Sequence, residues 1–509
     1  MTNASNLLLS DRAASVAVAA GAPRYDAAAP FSPAEAFPEY TAAFGRQLSA
    51  ANSVYGVVRD ALRLLGLDGE RQGTAAWNPL GDCVRPGDTV VIKPNMVRDF
   101  RESSAADGDC LITHGAVIRA VVDYVFIALA GRGRIVIADA PHSDADFDRV
   151  RRITAVDAIA DFYRASAGFP LEIYDLRPEA SVKRDGVIVG HRRLAGDPAG
   201  YVAVDLGEHS MFEEIGDLCQ RLYGSEYDRS ELVRHHSGGR HEYLIAKTVL
   251  QADCVIGLPK LKTHKKTGIT VNLKNLVGIN GNKNWLPHHR EGTPAEGGDQ
   301  FADSGVGRRT ERAVVAAFKR CFPLLGPLRP ALAGPIKSVG RAVFGDTNVS
   351  TIRSGNWYGN DTTWRMAIDL NRVLMYADAD GRLHDRPVRR FVSVVDGIVG
   401  GEGNGPLDPR PRAEGVVIAG LNPVAVDAVA AALMGFDYRK LPMVRRAFDP
   451  VALPLVSGGA ERIHARSDVA AFAGPLASIR GFAEPFAPHF GWTGHVESRD
   501  TADVARALA

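Results

Sequence analysis

At 509 residues the chain is several times longer than one ordinary domain, and 46% hydrophobic with 23% charged residues excludes a disordered, collagen-like or coiled-coil body. Lysine and arginine number 60 against 59 acidic residues, a formal net charge of +1, so the basic footprint of a general nucleic-acid binder is missing and no nucleic-acid partner is expected. No stretch approaches the roughly 20 apolar residues that span a bilayer, and the N-terminus lacks the charged region that opens a signal peptide. Five cysteines, at Cys83, Cys110, Cys219, Cys254 and Cys321, include no C-x-x-C pair, so no iron–sulfur cluster is expected and the odd count suits a reducing compartment. These features together predict a cytoplasmic protein.

Residues 1–85 read as an Ala-rich lead-in with one amphipathic helix over 53–67. A strand is predicted at 88–92, ended by Lys93-Pro94-Asn95, because proline removes a ladder donor. An apolar helix over 114–130 and a β-branched strand over 134–138 follow, and a strand-helix-strand order favours parallel pairing. Asp139 and His142 lie in the turn that ends this second strand. Further strands are expected at 171–174, 201–204 and 254–257, then a polar turn from Lys260 to His264 and a helix near 268–277. Residues 282–360 lack strand periodicity, apart from a helical patch near 308–321, and read as an insertion or lid. A helix at 362–375, a strand at 390–395, a glycine-rich loop at 396–406, a strand at 415–419 and a helix at 424–434 complete the core, with an extension over 441–509. The expected fold is α/β, a mixed or mostly parallel sheet flanked by helices. Its core spans 86–281 and 361–440, separated by the long insertion.

Two polar constellations fall at predicted strand ends, where open α/β sheets bind ligands. The first holds Lys260, Lys262, Thr263, His264, Asn272, Lys274 and Asn275, and a helix starting near Gly268 would add N–H donors and a favourable dipole for an anion. The second runs from Asp396 through Glu402 and Asn404, with five glycines that permit close backbone approach. Its two carboxylates suit a divalent metal, magnesium or manganese, or general acid/base work, and spacing does not choose between them. Lys93 and Asn95 end the first strand at the same expected edge. Lys262, His264, Asp396 and Glu402 are therefore candidate catalytic residues, and Asp396 and Glu402 the candidate metal ligands. Lys93, Asn95, Lys260, Thr263, Asn272, Lys274, Asn275 and Asn404 are candidate binders of a small anionic metabolite. His288-His289 is a poor chelate, since adjacent side chains on an extended loop diverge. Asp427 reads as a dipole-stabilising residue in the first turn of its own helix. No Walker loop, dinucleotide fingerprint or nucleophile elbow occurs. Two classes of function fit: an enzyme of unknown reaction acting on a phosphorylated or carboxylate-bearing metabolite, and a non-catalytic protein that docks an anion or an acidic partner.

The strings VVIKPN, GLPKLKTHKKTGITVNLKNLVGINGNKNWLPHH, VVDGIVGGEGNGP and GLNPVAVDAVAAALMGFD, spread over roughly 88–440, resemble the bacterial and archaeal family named domain of unknown function 362. The family name implies no reaction. Many of its members append a ferredoxin-type domain with C-x-x-C runs, which this chain lacks, so their electron-transfer role does not carry over. Asn422 stands where the family pattern has Asp before Pro-Val-Ala. The stretch NGNKNWLPHHREG is similar to members encoded among cell-surface polysaccharide genes.

Overall fold

The structure, a computed structural model, describes residues 5–25, 28–49, 51–101, 103, 109–184, 187–224, 229–303 and 351–498. Alternation of apolar side chains along the strands sorts the core onto two faces of one sheet. Val90, Ile92, Ile135, Ile137 and Ile256 point to one face, and Val91, Val136, Val255 and Val395 to the other. Strands this apolar on both sides need helices on both sides, and a mixed, mostly parallel sheet between two helical layers results. The α/β class expected from the sequence is what the chain adopts.

The sheet has eleven strands: β1 (Ser15–Ala20), β2 (Thr89–Pro94), β3 (Arg134–Asp139), β4 (Leu171–Asp175), β5 (Cys254–Leu258), β6 (Lys260–His264), β7 (Gly268–Ile269), β8 (Arg390–Asn404), β9 (Asp408–Gly420), β10 (His464–Arg466) and β11 (Gly474–Pro475). Their order is β11-β10-β1-β9-β8-β5-β2-β3-β4, with β6 pairing β8 and β7 pairing β6. The block β8-β5-β2-β3-β4 is wholly parallel. From β2 the chain winds outward through β3 to β4, then returns to lay β5 on the other side of β2. The strand order therefore reverses between β2 and β5, the topological switch point where the carboxyl ends of parallel strands leave a crevice.

Helices α1 (Ser53–Leu64), α2 (Gly115–Leu129) and α3 (Val156–Ala167) cover one face, and α4 (Val271–Asn275), α5 (Thr363–Tyr376) and α6 (Pro423–Leu433) the other. No described helix is long and apolar enough to cross a membrane. The strand expected at 201–204 forms at Tyr201–Asp205, but it pairs with Glu242–Ala246 in a small separate sheet. Residues 1–85 do more than lead in, because β1 pairs antiparallel with β9. The extension past 441 likewise supplies β10 and β11. The helical patch expected near 308–321 lies outside the described residues.

Two local expectations are overturned next to the crevice. Residues 260–264 form strand β6 rather than a polar turn, and the helix expected over 268–277 shrinks to α4, followed by a 3-10 turn at Leu276–Ile279. The glycine-rich stretch from Asp396 to Asn404 is also no loop, for β8 runs straight through it, with Asp396 opposite Val417 and Glu402 opposite Arg410 on β9. Its glycines serve packing between strands. A Cβ on Gly401 would stand 2.7 Å from the carbonyl oxygen of Cys110, and one on Gly405 would stand 1.9 Å from that of Thr263.

Overpacking of this kind costs about 1–3 kcal/mol. Gly401→Ala is therefore expected to lower the denaturant midpoint measurably. A midpoint unchanged from the wild type would mean that β8 and the Cys110 segment can separate freely.

Candidate functional site

The β2/β5 crevice is built from buried lysines whose counter-charges are unequally supplied. Lys93, the penultimate residue of β2, sends its amine 2.8 Å to Asp139 at the end of β3 and 3.1 Å to the Asn275 side-chain oxygen. The Asn275 side-chain N–H donates to the Lys93 carbonyl at 3.1 Å, and the Asn275 side-chain oxygen also accepts from the Asn95 amide at 3.4 Å. The backbone comes so close here that a Cβ on Gly278 would lie 1.8 Å from Asp139 Oδ1. Lys93, Asn95 and Asn275 thus tie β2 to the end of α4.

On β6 every second side chain faces the same way, and register places Lys260 beside Asp396 and Lys262 beside Gly401. Lys260 donates to Asp396 at 2.9 Å and to the Tyr25 hydroxyl at 2.8 Å. Tyr25 itself donates to Asp396 at 2.5 Å and stacks on His114, with 3.9 Å between centroids. The His114 backbone N–H supplies Asp396 with another bond at 2.9 Å. Asp396 is completely buried and its two oxygens are fully engaged. Burial, followed by the Asp396 charge, drives the Tyr25 hydroxyl pKa well up, so the phenol keeps its proton.

Glu402 has a different setting. Its oxygens receive Arg410 at 3.1 Å and the backbone N–H of Ala487 at 2.9 Å. Six residues along one strand put roughly 20 Å between the Cα atoms of Asp396 and Glu402. They cannot share one cation, and among the described residues no group of three or more His, Cys, Asp or Glu side chains is arranged to hold a metal. The expected carboxylate pair is instead two separate ion-pair sites. Thr263 donates to the Gly403 carbonyl at 3.0 Å, and Asn404, opposite Asp408, stands half-buried where β8 turns into β9.

The start of α4 is also occupied. Asp427, reaching across from α6, accepts the Asn272 and Leu273 backbone N–H groups at 2.8 and 3.0 Å and the Asn272 side-chain amide at 3.0 Å. Ser393 donates to the Asn272 oxygen at 2.7 Å. Asp427 therefore caps a neighbouring helix rather than its own, and the N–H groups expected to meet an anion already meet a carboxylate. Burial raises the Asp427 pKa to about 7 against the pull of those donors. Just before them Val271 holds φ at 33°, a left-handed conformation that costs a β-branched residue about 1–3 kcal/mol. Asn422 caps α6, accepting Val424 and Ala425 N–H, while its amide donates to the carbonyls of Leu8 and Leu455. An aspartate could make the cap but not those two donations.

Among the described residues, Lys262 and Lys274 lack carboxylate partners. Lys262 reaches three neutral oxygens, the Asn95 side chain at 3.1 Å and the carbonyls of Leu111 at 2.6 Å and Pro406 at 3.3 Å. The Lys274 amine, on a residue only 8% exposed, has no hydrogen bond or ion pair among the described residues. Burial lowers both amines to about 7. The Lys274 charge acts on two buried histidine rings, His264 and His288. His264 Nδ1 accepts the backbone N–H groups of Lys266 and Thr267 at 3.0 and 3.2 Å, which leaves its proton on Nε2. His288 Nδ1 meets the Leu286 carbonyl at 2.8 Å, so that nitrogen carries the proton and Nε2 the lone pair. Burial pushes both imidazoles well below their usual pKa. One neutral donor and one neutral acceptor therefore lie within the electrostatic reach of an amine that has no counter-charge among the described residues.

Sequence reasoning missed Tyr25, His114 and the reach of Asp427, and considered His288 only as half of a metal pair. Tyr25 sits in a segment without periodicity, so only tertiary structure brings it to β6. His288 had a readable signal, a histidine between hydrophobic and basic residues, but its direction depends on the fold. The carbonyl of His288 is held by Lys266, Asn360 and Thr363 at 3.1, 3.1 and 2.8 Å.

The two states of the Lys274 amine fix how stability depends on pH. In the unfolded chain it holds its proton up to about pH 10, and in the folded chain only to about 7. The unfolded state binds the extra proton between those values, so this group's contribution to stability rises with pH across that window. Below pH 7 the folded chain carries the full cost of a buried ammonium. Lys274→Met is therefore expected to raise the thermal midpoint at pH 6, with a gain that shrinks towards pH 10. A lower midpoint at pH 6 would make Lys274 a structural lysine.

A family model described as Domain of unknown function (DUF362) matches residues 181–432, a span that contains β5 to β9, the lysine cluster and Asp427 but not Tyr25, Lys93, Asn95 or His114. None of the curated proteins matches the chain. With that match over the strands and helix that build the crevice, the chain belongs to the domain of unknown function 362 family.

Proposed function

We propose that the chain is a cytoplasmic enzyme that binds a small anionic metabolite, phosphorylated or carboxylate-bearing, with the anion against Lys274 and proton transfer by His264. The observation that carries this reading is the Lys274 amine, nine-tenths buried beside the switch point and unpartnered among the described residues. A buried charge without a partner is costly by several kcal/mol, and a ligand anion supplies the missing one. Lys262 and Lys93 add positive potential from behind while holding β2, β6 and α4 in place. Asp396 and Glu402 are already neutralised by Lys260 and Arg410, which leaves proton transfer to the imidazoles. A magnesium or manganese ion would enter on the ligand's own phosphate, since the two carboxylates are spent. The depth of Lys274 and His264 favours a small metabolite over a docked acidic partner, which needs an exposed patch.

Inorganic sulfate, which does not titrate in the useful range, is the probe. Calorimetry is expected to show binding at pH 6 that weakens roughly tenfold per pH unit above 7, because the neutral amine must first take up a proton. Lys274→Met is expected to bind no sulfate. Equal affinity in the variant, or none in the wild type at pH 6, would remove Lys274 from the proposed site.

A further inference from the structure

An amine can hold an anion only when protonated, and it can attack a carbonyl carbon only when it is not. Besides Lys93, which Asp139 pairs, three described lysines around the crevice, Lys262, Lys274 and Lys283, lie where burial favours the neutral form. Two of them are pinned as ammonium groups by their surroundings. Lys262 points at three acceptor oxygens, and Lys283 at the carbonyls of Ala140, Val277 and Asn280, at 2.8, 3.2 and 3.2 Å. Three acceptors use all three ammonium hydrogens and leave no lone pair. Lys274 has no acceptor among the described residues, so its lone pair is available.

We propose that Lys274 is a nucleophile that condenses with an anionic aldehyde or ketone, an oxo acid or a phosphorylated carbonyl compound, to form an imine. This rests on the reading of the crevice as an anionic-metabolite site and names its substrate class. The arrangement supplies what imine formation needs: a desolvated amine with cationic neighbours, and a neutral donor and a neutral acceptor within its electrostatic reach. The amine nitrogen attacks the carbonyl carbon, and the carbonyl oxygen takes the His264 Nε2 proton as the C–N bond forms. His288 Nε2 accepts a proton from the nitrogen, completing the carbinolamine. His288 returns that proton to the hydroxyl, which leaves as water while the nitrogen lone pair makes the C=N bond. His264 then recovers its proton from the nitrogen. One carbonyl and one amine give one imine and one water, with no oxidant or reductant. The substrate's anionic group is drawn by the protonated Lys274 on entry, and once the amine gives up that proton the same negative charge favours the iminium that forms as water leaves.

The experiment treats the full chain with pyruvate or glyoxylate and sodium borohydride, followed by peptide mass mapping. With pyruvate, the peptide containing Lys274 is expected to gain the mass of pyruvic acid less one oxygen, and sulfate is expected to suppress that gain. Lys274→Arg keeps a positive charge but has no amine able to form the imine. It is expected to keep binding sulfate and to lose the adduct. Sulfate binding by the wild type without an adduct at Lys274, or an adduct spread evenly over exposed lysines, would overturn the imine and leave the anion site standing. Failure of the wild type to bind sulfate would overturn both.

Discussion

Desolvation of positive charge at the ends of β2 and β6 is the constraint around which the site is arranged. A lysine amine can be buried if a carboxylate or a full set of oxygens surrounds it, and the chain uses both solutions. Asp139 answers Lys93, Asp396 answers Lys260, and three carbonyl-type oxygens answer Lys262. Each answer draws in a different part of the chain. Asp139 comes from β3, Asp396 from β8, and Leu111 from the segment before α2. The order of strands at the switch point and the electrostatics of the crevice are therefore one problem with one solution. Removing a carboxylate partner would leave a buried ammonium exposed to its full desolvation cost, whereas removing Lys274 leaves no other group unsatisfied.

Much of the architecture is legible in residue order. The apolar runs at Val90–Ile92, Ile135–Ile137 and Val255–Ile256, each near a turn-forming segment, mark parallel strands with helical connections, and the structure contains them. Lys260 to Asn275 stand out as a polar cluster after a buried strand. What periodicity does not reveal is which polar residue satisfies which. Lys260 and Asp396 are 136 positions apart, and Tyr25 and Asp396 are 371 apart. The glycines after Asp396 read as a flexible loop because glycine is permissive, but the same property lets a strand pass close to its neighbours. Gly401 and Gly405 leave space for the Cys110 and Thr263 carbonyls, and nothing local to β8 distinguishes that use from ligand approach. Likewise the basic residues before α4 suggested an open helix start. Asp427 lies a full supersecondary unit away, and only the packing of α6 against α4 shows that it fills the position.

The chain ends matter for the same reason. β1 closes the antiparallel side of the sheet against β9, and the segment just after it delivers Tyr25 to Lys260. At the other end, the indole N–H of Trp492 donates to the Lys265 carbonyl at 2.9 Å, beside the turn that orders His264. The family match begins at 181, so the crevice combines elements within it and elements outside it.

Val271 gives this site a rigidity that its shortness would not suggest. A valine at positive φ has no broad neighbouring basin into which the backbone can drift, because its branched Cβ makes small rotations steeply unfavourable. The turn bearing Lys274 therefore behaves as a latch with one seated position. Asp427 engages it on one side and the buried isopropyl group on the other. An amine on a supple turn would swing to the nearest carbonyl and quench itself when no ligand is present. Here Asp427 holds the start of α4, and the amine is positioned before a ligand arrives.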